Sequence, residues 1–390
     1  MLIKSLRLSN FLSYGQEIHI PLAPLNILIG TNGSGKSNLI EAIDLLHNAP
    51  TDLLRPIRDG GGINDWLWKG QEDVIPEAAI DTVFAYRDYS GSERDLRHVM
   101  AFSAVGQRFE IKDERVEDAQ PLSGHEEPYF YYHFNAGRPY LNILDEKRYL
   151  QTEDVDFEKS ILSQRKDPEQ YPEITWLGKQ LDNICIYRDW NFGRYTPPRT
   201  PQRTDLPNLY LASDCSNLGL VLNKIDLKTS VKRKVLDILK DINPDVEDFS
   251  THIVGNTVQV FLQEKNMAIP ATRLSDGLLR FICLAAILCN PDLPALICIE
   301  EPELGLHPDI ISTLASLLKE AALKTQLVVT THSAMLVDYF TDEPESVIVA
   351  EKNEAGTSLK HLDRAELEPW LKEYRLGKLW LQGELGGTRW

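Results

Sequence analysis

Gly30-Thr31-Asn32-Gly33-Ser34-Gly35-Lys36-Ser37-Asn38 satisfies the pattern G-x-x-x-x-G-K-[ST] at every fixed position. The chemistry such a run can do is anion capture. Its glycines let the backbone turn tightly and aim successive N–H groups into one cavity, to which a following helix adds its positive end. A triphosphate is the natural guest. Lys36 is expected to reach the β and γ phosphates as a point charge, and the Ser37 hydroxyl to ligate a magnesium ion that bridges them.

Acidic and imidazole groups stand far downstream. Glu300-Glu301-Pro302-Glu303 follows the apolar run from Ala295 to Ile299, and Thr330-Thr331-His332-Ser333 follows Leu327 to Val329. Carboxylates at the end of a buried strand sit where ligands gather in a parallel α/β sheet. Glu300 is the candidate magnesium ligand, direct or through water, and Glu301 the candidate base that orients or deprotonates the attacking water. His332 is placed to hydrogen-bond the γ-phosphate or that water. Upstream, Leu274-Ser275-Asp276-Gly277-Leu278-Leu279-Arg280 opens an apolar helix that ends near Cys289. A Leu-Ser-x-Gly string is by itself a common helix cap, and only its place before the acidic strand gives it further meaning.

The elements that must position these groups follow from periodicity. Leu25 to Ile29 is a short apolar run suited to a buried strand, and Leu39, Ile43 and Leu46 recur at helical spacing after the loop. Leu2 to Leu8 and Gln16 to Ile20 read as strands around a turn at Asn10 to Tyr14, whose Phe11 or Tyr14 could stack on a base or simply pack. A loop at Gly60 to Gly62 precedes Trp66 and Trp68. Residues 79–155 alternate β-branched and aromatic residues between turn signals, as an antiparallel meander does. Helical patterns follow near Ser160, from Trp176 to Ile186, from Asn217 to Ile225 and from Ser230 to Lys240, then a hairpin from His252 to Phe261. Between them, Tyr187 to Asp205 interleaves Arg188, Arg194, Arg199 and Arg203 with Tyr187, Trp190, Phe192 and Tyr195. That mixture fits a grip on a nucleic-acid strand or a loop held by cation–π pairs.

The motif order resembles the ABC-type ATPase heads of the SMC, RecF and OLD-like groups, and the stand-alone AAA-family ATPases of bacteria that share them. The resemblance rests on the phosphate loop, the Leu274 to Gly277 signature, the run Glu300 to Pro308 and Thr330 to Ser333. It covers residues 1 to about 50 and about 265 to 350, and more loosely Leu211 to Leu218 and Trp370 to Gly387. It implies an α/β fold: a P-loop NTPase head of ABC type, with a mixed β core, an antiparallel β insertion and a helical lobe. The expected division is residues 1–75 and 265–390 for the two halves of the core, 76–160 for the insertion and 161–264 for the helical lobe and hairpin.

The resemblance further implies a composite site, in which ATP on one phosphate loop is completed by Ser275 and Gly277 of a second copy. A homodimer with two enclosed nucleotides follows. The chain departs from the family in two places. Glu300 stands where an aspartate is usual, and Gln71 and Gln164 both compete for the family's glutamine position.

Composition narrows the function classes. The 390 residues carry a formal net charge of -17, with 43% hydrophobic and 25% charged residues, which is ordinary for a globular protein and repels phosphate backbones overall. Any DNA contact needs a local basic groove or a partner. Five scattered cysteines lack metal or disulfide spacing, and no apolar stretch reaches membrane-spanning length, so a reducing cytoplasm is the expected setting. The reading is an ATPase acting as an ATP-gated dimer in DNA processing or phage defence. The alternative is a nucleotide-gated clamp on DNA or a separate effector that hydrolyses slowly or not at all. The segment after His332 is too short for a nuclease core, so a nuclease or other effector is expected on a separate chain.

Overall fold

Strict alternation sets the largest sheet. In Ala78–Arg87 every second residue from Ala78 to Tyr86 is buried, so one face of the strand packs inward while the other carries charge. The computed structural model describes residues 2–70, 76–87, 91, 93–121, 124–135, 137–143, 146–149 and 154–387. Within these, the meander read over 79–155 forms an antiparallel sheet, and the two N-terminal strands add to it. The strand order is Ile18–Pro21, Ile3–Ser9, Ala78–Arg87, Glu93–Val105, Arg108–Asp118, Phe130–Asn135, Arg138–Ile143 and Glu146–Tyr149. On its charged face Arg97 bridges Asp81 at 2.8 Å and Glu117 at 2.9 Å.

The chain divides into two compact units. One comprises Met1–Ile184, Ile348–Leu362 and Leu385–Trp390; the other comprises Cys185–Val347 and Asp363–Glu384. In the first unit the strand Leu25–Ile29 is buried at all five positions, the polar Asn26 among them, and it lies beside the hairpin of Val347–Asn353 and Gly356–His361. It leads through the phosphate loop into the helix Lys36–Asn48, whose Leu39, Ile43 and Leu46 face inward. The helix Pro172–Asp182 packs against it, with His47 Nδ1 2.8 Å from the Leu181 carbonyl.

In the second unit Leu296–Glu300 and Gln326–Thr330 pair parallel, with Glu300 opposite Thr330, and Ile184–Tyr187 flanks the first of them. The helix Ile311–Ala322 packs on Gln326–Thr330, and Asp276–Leu288 packs against that helix. A smaller sheet joins Val246–Val254 to Thr257–Glu264, a hairpin longer than the His252 to Phe261 read from the turn, and adds Met267–Pro270 and Gln202–Arg203 along its other side. The helices Leu218–Asp226 and Thr229–Ile242 complete the lobe. All five cysteines are free thiols, four of them buried. No helix among the described residues is long and apolar enough to cross a membrane.

Candidate nucleotide site

The phosphate loop lies wholly in the first unit. Gly30 and Gly35 have φ of 146° and 98°, in the region that L side chains avoid. Space excludes a side chain as well. A Cβ on Gly30 would lie 2.4 Å from the Ala350 carbonyl oxygen, and one on Gly35 would lie 2.4 Å from Thr357 Oγ1. Lys36 is buried, and its ammonium donates to the carbonyls of Gly30 at 2.8 Å and Thr31 at 2.9 Å, so it spans the loop it closes. Asn32, Gly33 and Ser37 are exposed, Thr31 and Asn38 half-buried, and Ser34 buried. The exposed Ser37 hydroxyl stands in the first turn of a helix of 13 residues, where free N–H groups attract anions.

Behind the loop is a relay that sequence reading missed. Asn38 Nδ2 donates to Ser13 Oγ at 2.7 Å, Ser13 Oγ is 2.7 Å from Thr357 Oγ1, and Thr357 Oγ1 donates to the Ser34 carbonyl at 2.9 Å. Each hydroxyl carries one proton, so only one direction satisfies every link: Asn38 to Ser13 to Thr357 to Ser34. Tyr14 adds a bond from its hydroxyl to the Gly35 carbonyl at 2.9 Å, and burial pushes its phenol well above the ordinary range. Phe11 and Tyr14 are fully buried, so neither stacks on a base. The aromatic group that does open beside the loop is Trp68. It lines a pocket of about 400 Å³ with Ser13, Asn38, Lys69 and Lys352, and a Cβ on Gly15 or Gly70 would lie within 2.5 Å of its ring.

The second unit gathers the acidic and imidazole groups. Glu300 ends its strand, and Glu301 follows with φ of 44°, a left-handed conformation uncommon for a side chain of this size. The Glu301 N–H donates to the Thr330 carbonyl at 3.0 Å, and its own carbonyl accepts from Arg280 Nη2 at 2.7 Å. This backbone turn directs the Glu301 carboxylate towards His332, with Nε2 and Oε1 3.6 Å apart. Glu303 fixes the histidine's segment: its Oε1 accepts from Thr331 Oγ1 at 2.6 Å and from the His332 N–H at 3.0 Å. Arg280 is buried, its guanidinium 4.9 Å from the centre of the Trp190 ring, and desolvation holds its pKa below the ordinary arginine value. Glu300, Glu301, Arg280, Trp190 and Arg188 line one pocket of about 510 Å³.

Ser275 caps the signature helix by accepting from the Leu278 N–H at 3.3 Å. Gly277 allows the helix start to approach the acidic loop, since a Cβ there would lie 2.8 Å from the Gly305 carbonyl oxygen. In the arginine and aromatic stretch from Tyr187, Arg199 and Arg203 are engaged within the protein. Arg199 is buried and donates to the carbonyls of Phe192, Ala271 and Leu274 while pairing with Asp276; Arg203 pairs with Asp205. Of the two glutamine candidates, Gln71 lies outside the described residues. Gln164 ends a short helix and bonds its own neighbourhood, donating to the Asp156 and Lys159 carbonyls. Nothing in the sequence marks Thr357; the acidic run contained Glu303 without assigning it a role, and the interleaved arginines marked Arg199 for another reason.

Two family models match. One described as "AAA ATPase domain" covers residues 1–173, and one described as "AAA domain, putative AbiEii toxin, Type IV TA system" covers residues 211–338. The DNA replication and repair protein RecF of Thermosynechococcus vestitus is 37% identical over 81 residues, 21% of this chain and 20% of that protein. The protein of the same name from Cyanothece sp. is 48% identical over 46 residues, 12% of each chain. The chain thus spans a fifth or less of the curated relatives it matches. Among solved structures, an Smc head domain with an extended coiled coil bound to the C-terminal domain of ScpA, derived from Pyrococcus furiosus, superposes with TM-score 0.60 at 14% identity, covering 96% of this chain and 99% of that one. An SmcHead bound to the C-winged helix domain of ScpA gives TM-score 0.59 at 13% identity, covering 94% and 99%. At these identities what is shared is the fold.

Proposed function

We propose that the chain is an ABC-type ATPase of the SMC and RecF kind, a reading supported by the two AAA models over residues 1–173 and 211–338 and by the RecF relatives, and that it binds and hydrolyses ATP with magnesium as an ATP-gated homodimer. The observation that carries the reading is the phosphate loop: glycines that tolerate no Cβ, a buried lysine across the loop and an exposed serine at a helix start. Lys36 and the loop N–H groups hold the β and γ phosphates. The pocket at Trp68 takes the nucleoside end. Glu301 draws the proton from the attacking water, His332 beside it hydrogen-bonds the γ-phosphate or that water, and Ser275 and Gly277 of one copy close over the γ-phosphate held by the other.

The residues on hand suit magnesium. Ser37 and Glu300 offer hard oxygen donors, as suits a cation that shares its shell with phosphate and water. When bound, the ion would neutralise charge building on the phosphate oxygens. The setting we propose is DNA processing or phage defence with a separate effector chain. Its DNA-processing part is supported by the two relatives described as DNA replication and repair protein RecF.

Glu301→Gln tests the core of this reading. It should bind ATP as wild type does, turn it over about 10²–10⁴-fold more slowly, and accumulate as a dimer in sedimentation with ATP and magnesium. Wild-type turnover by this variant would remove Glu301 as the base. A monomer at every concentration would remove the dimer, and no turnover by wild type would leave a nucleotide-gated clamp.

A further inference from the structure

The loop from Arg188 to Arg203 was singled out by its arginines and aromatics, and the proposed reaction leaves it without a task. Its two ends touch the two parts of the second unit that the reaction needs. Near one end Trp190 Nε1 donates to the Glu300 carbonyl at 2.9 Å, and the same ring supports Arg280, which holds the Glu301 carbonyl. At the other end Arg199 donates to Ala271 and Leu274 and pairs with Asp276, the residues on either side of Ser275. The loop is closed on itself between these points. Arg199 Nε donates to the Phe192 carbonyl at 2.8 Å, and the Phe192 ring stacks on Trp190 with centroids 6.0 Å apart.

Arg199 is 5% exposed, and its partners are mainly backbone carbonyls. A guanidinium presents its donors in a fixed planar fork, so it sets where those carbonyls lie relative to one another. Glu301 sits at φ of 44°, a conformation that surrounding contacts must impose. We infer that this loop is a brace that positions Ser275 and Glu301 together, with Arg199 and Trp190 as positioning residues for the signature and for the acid. The inference rests on the roles proposed above for those two residues.

The test compares Trp190→Phe and Arg199→Gln with wild type in full-length protein, reading turnover against both ATP and protein concentration. Trp190→Phe keeps a ring under Arg280 but loses the bond to Glu300. It should lower kcat about five- to tenfold and leave the protein concentration for half-maximal specific activity within about twofold. Arg199→Gln should raise that concentration at least about tenfold, because Ser275 is presented to the second copy, with a smaller change in kcat at saturating protein. Single-chain ATP affinity should stay within about twofold in both, since the phosphate loop lies in the other unit.

Hydrogen exchange over residues 271–278 and 299–306 gives a reading independent of turnover. Each variant should speed exchange in both segments. Exchange that speeds only in the variant's own segment, or in neither, overturns the brace. If wild type turns over no ATP, the reaction fails and exchange alone decides the brace. Arg199→Lys, which keeps the charge and loses the fork, replaces Arg199→Gln if that variant does not fold.

Discussion

Thr357→Val is the sharpest perturbation of the phosphate loop, because it removes one oxygen and nearly preserves shape. Thr357 is 4% exposed and its hydroxyl is the link between Ser13 and the Ser34 carbonyl, at 2.7 and 2.9 Å. Valine leaves the buried Ser34 carbonyl without this donor, at a cost of ~1–3 kcal/mol, and deprives the Ser13 hydroxyl of its acceptor, at ~0.5–1.5 kcal/mol. The expected loss of folding stability is therefore about 2–4 kcal/mol. Part of it falls on the loop's binding conformation, and each 1.4 kcal/mol that does so weakens binding about tenfold. Thr357→Ser is the control: it keeps the hydroxyl, so affinity should stay within about twofold despite some loss from the deleted methyl. Urea unfolding measures the first quantity, and calorimetric titration with a non-hydrolysable ATP analogue the second. The relay is refuted if Thr357→Val binds nucleotide and unfolds as wild type does, or if Thr357→Ser is as damaging as Thr357→Val.

Two further outcomes follow from single observations. In Gly277→Ala the new Cβ meets the Gly305 carbonyl oxygen at 2.8 Å, and a backbone neighbour cannot rotate aside, so the signature helix must shift. The variant should lose about 1–3 kcal/mol of stability and dimerise at least about tenfold more weakly with ATP, while single-chain ATP affinity is unchanged; sedimentation and titration read these separately. Burial raises the Asp118 pKa above its ordinary value, more than the Tyr131 hydroxyl bond at 2.9 Å and the nearby Arg94 lower it. The folded state thus holds this proton more tightly than the unfolded chain. The stabilisation is present below the unfolded carboxylate pKa of about 3.9 and is lost as pH rises through the folded value. Asp118→Asn should therefore compare more favourably with wild type in urea unfolding at pH 7 than at pH 4, and a difference independent of pH would contradict this.

The sequence by itself determined what is local. Gly30 to Ser37 could be read because each member acts through its own backbone or a neighbour's within one turn of chain, so type and spacing carry the whole signal. The Leu25–Ile29 strand and the meander were legible for a similar reason: burial on two faces gives a run that is apolar at every position but Asn26, and burial on one gives alternation. Only the tertiary structure decided which groups serve those motifs. Thr357 reaches Ser13 across 344 residues, Arg199 grips carbonyls beside Ser275, and Glu301 turns left-handed under a bond from Arg280. Phe11 proved buried against Trp66 and Phe102, and Tyr14 with its hydroxyl on the Gly35 carbonyl, all remote in sequence. A side-chain donor aimed at a remote carbonyl leaves no period and needs no particular neighbour in the chain, so its role exists only once folding has brought the acceptor to it.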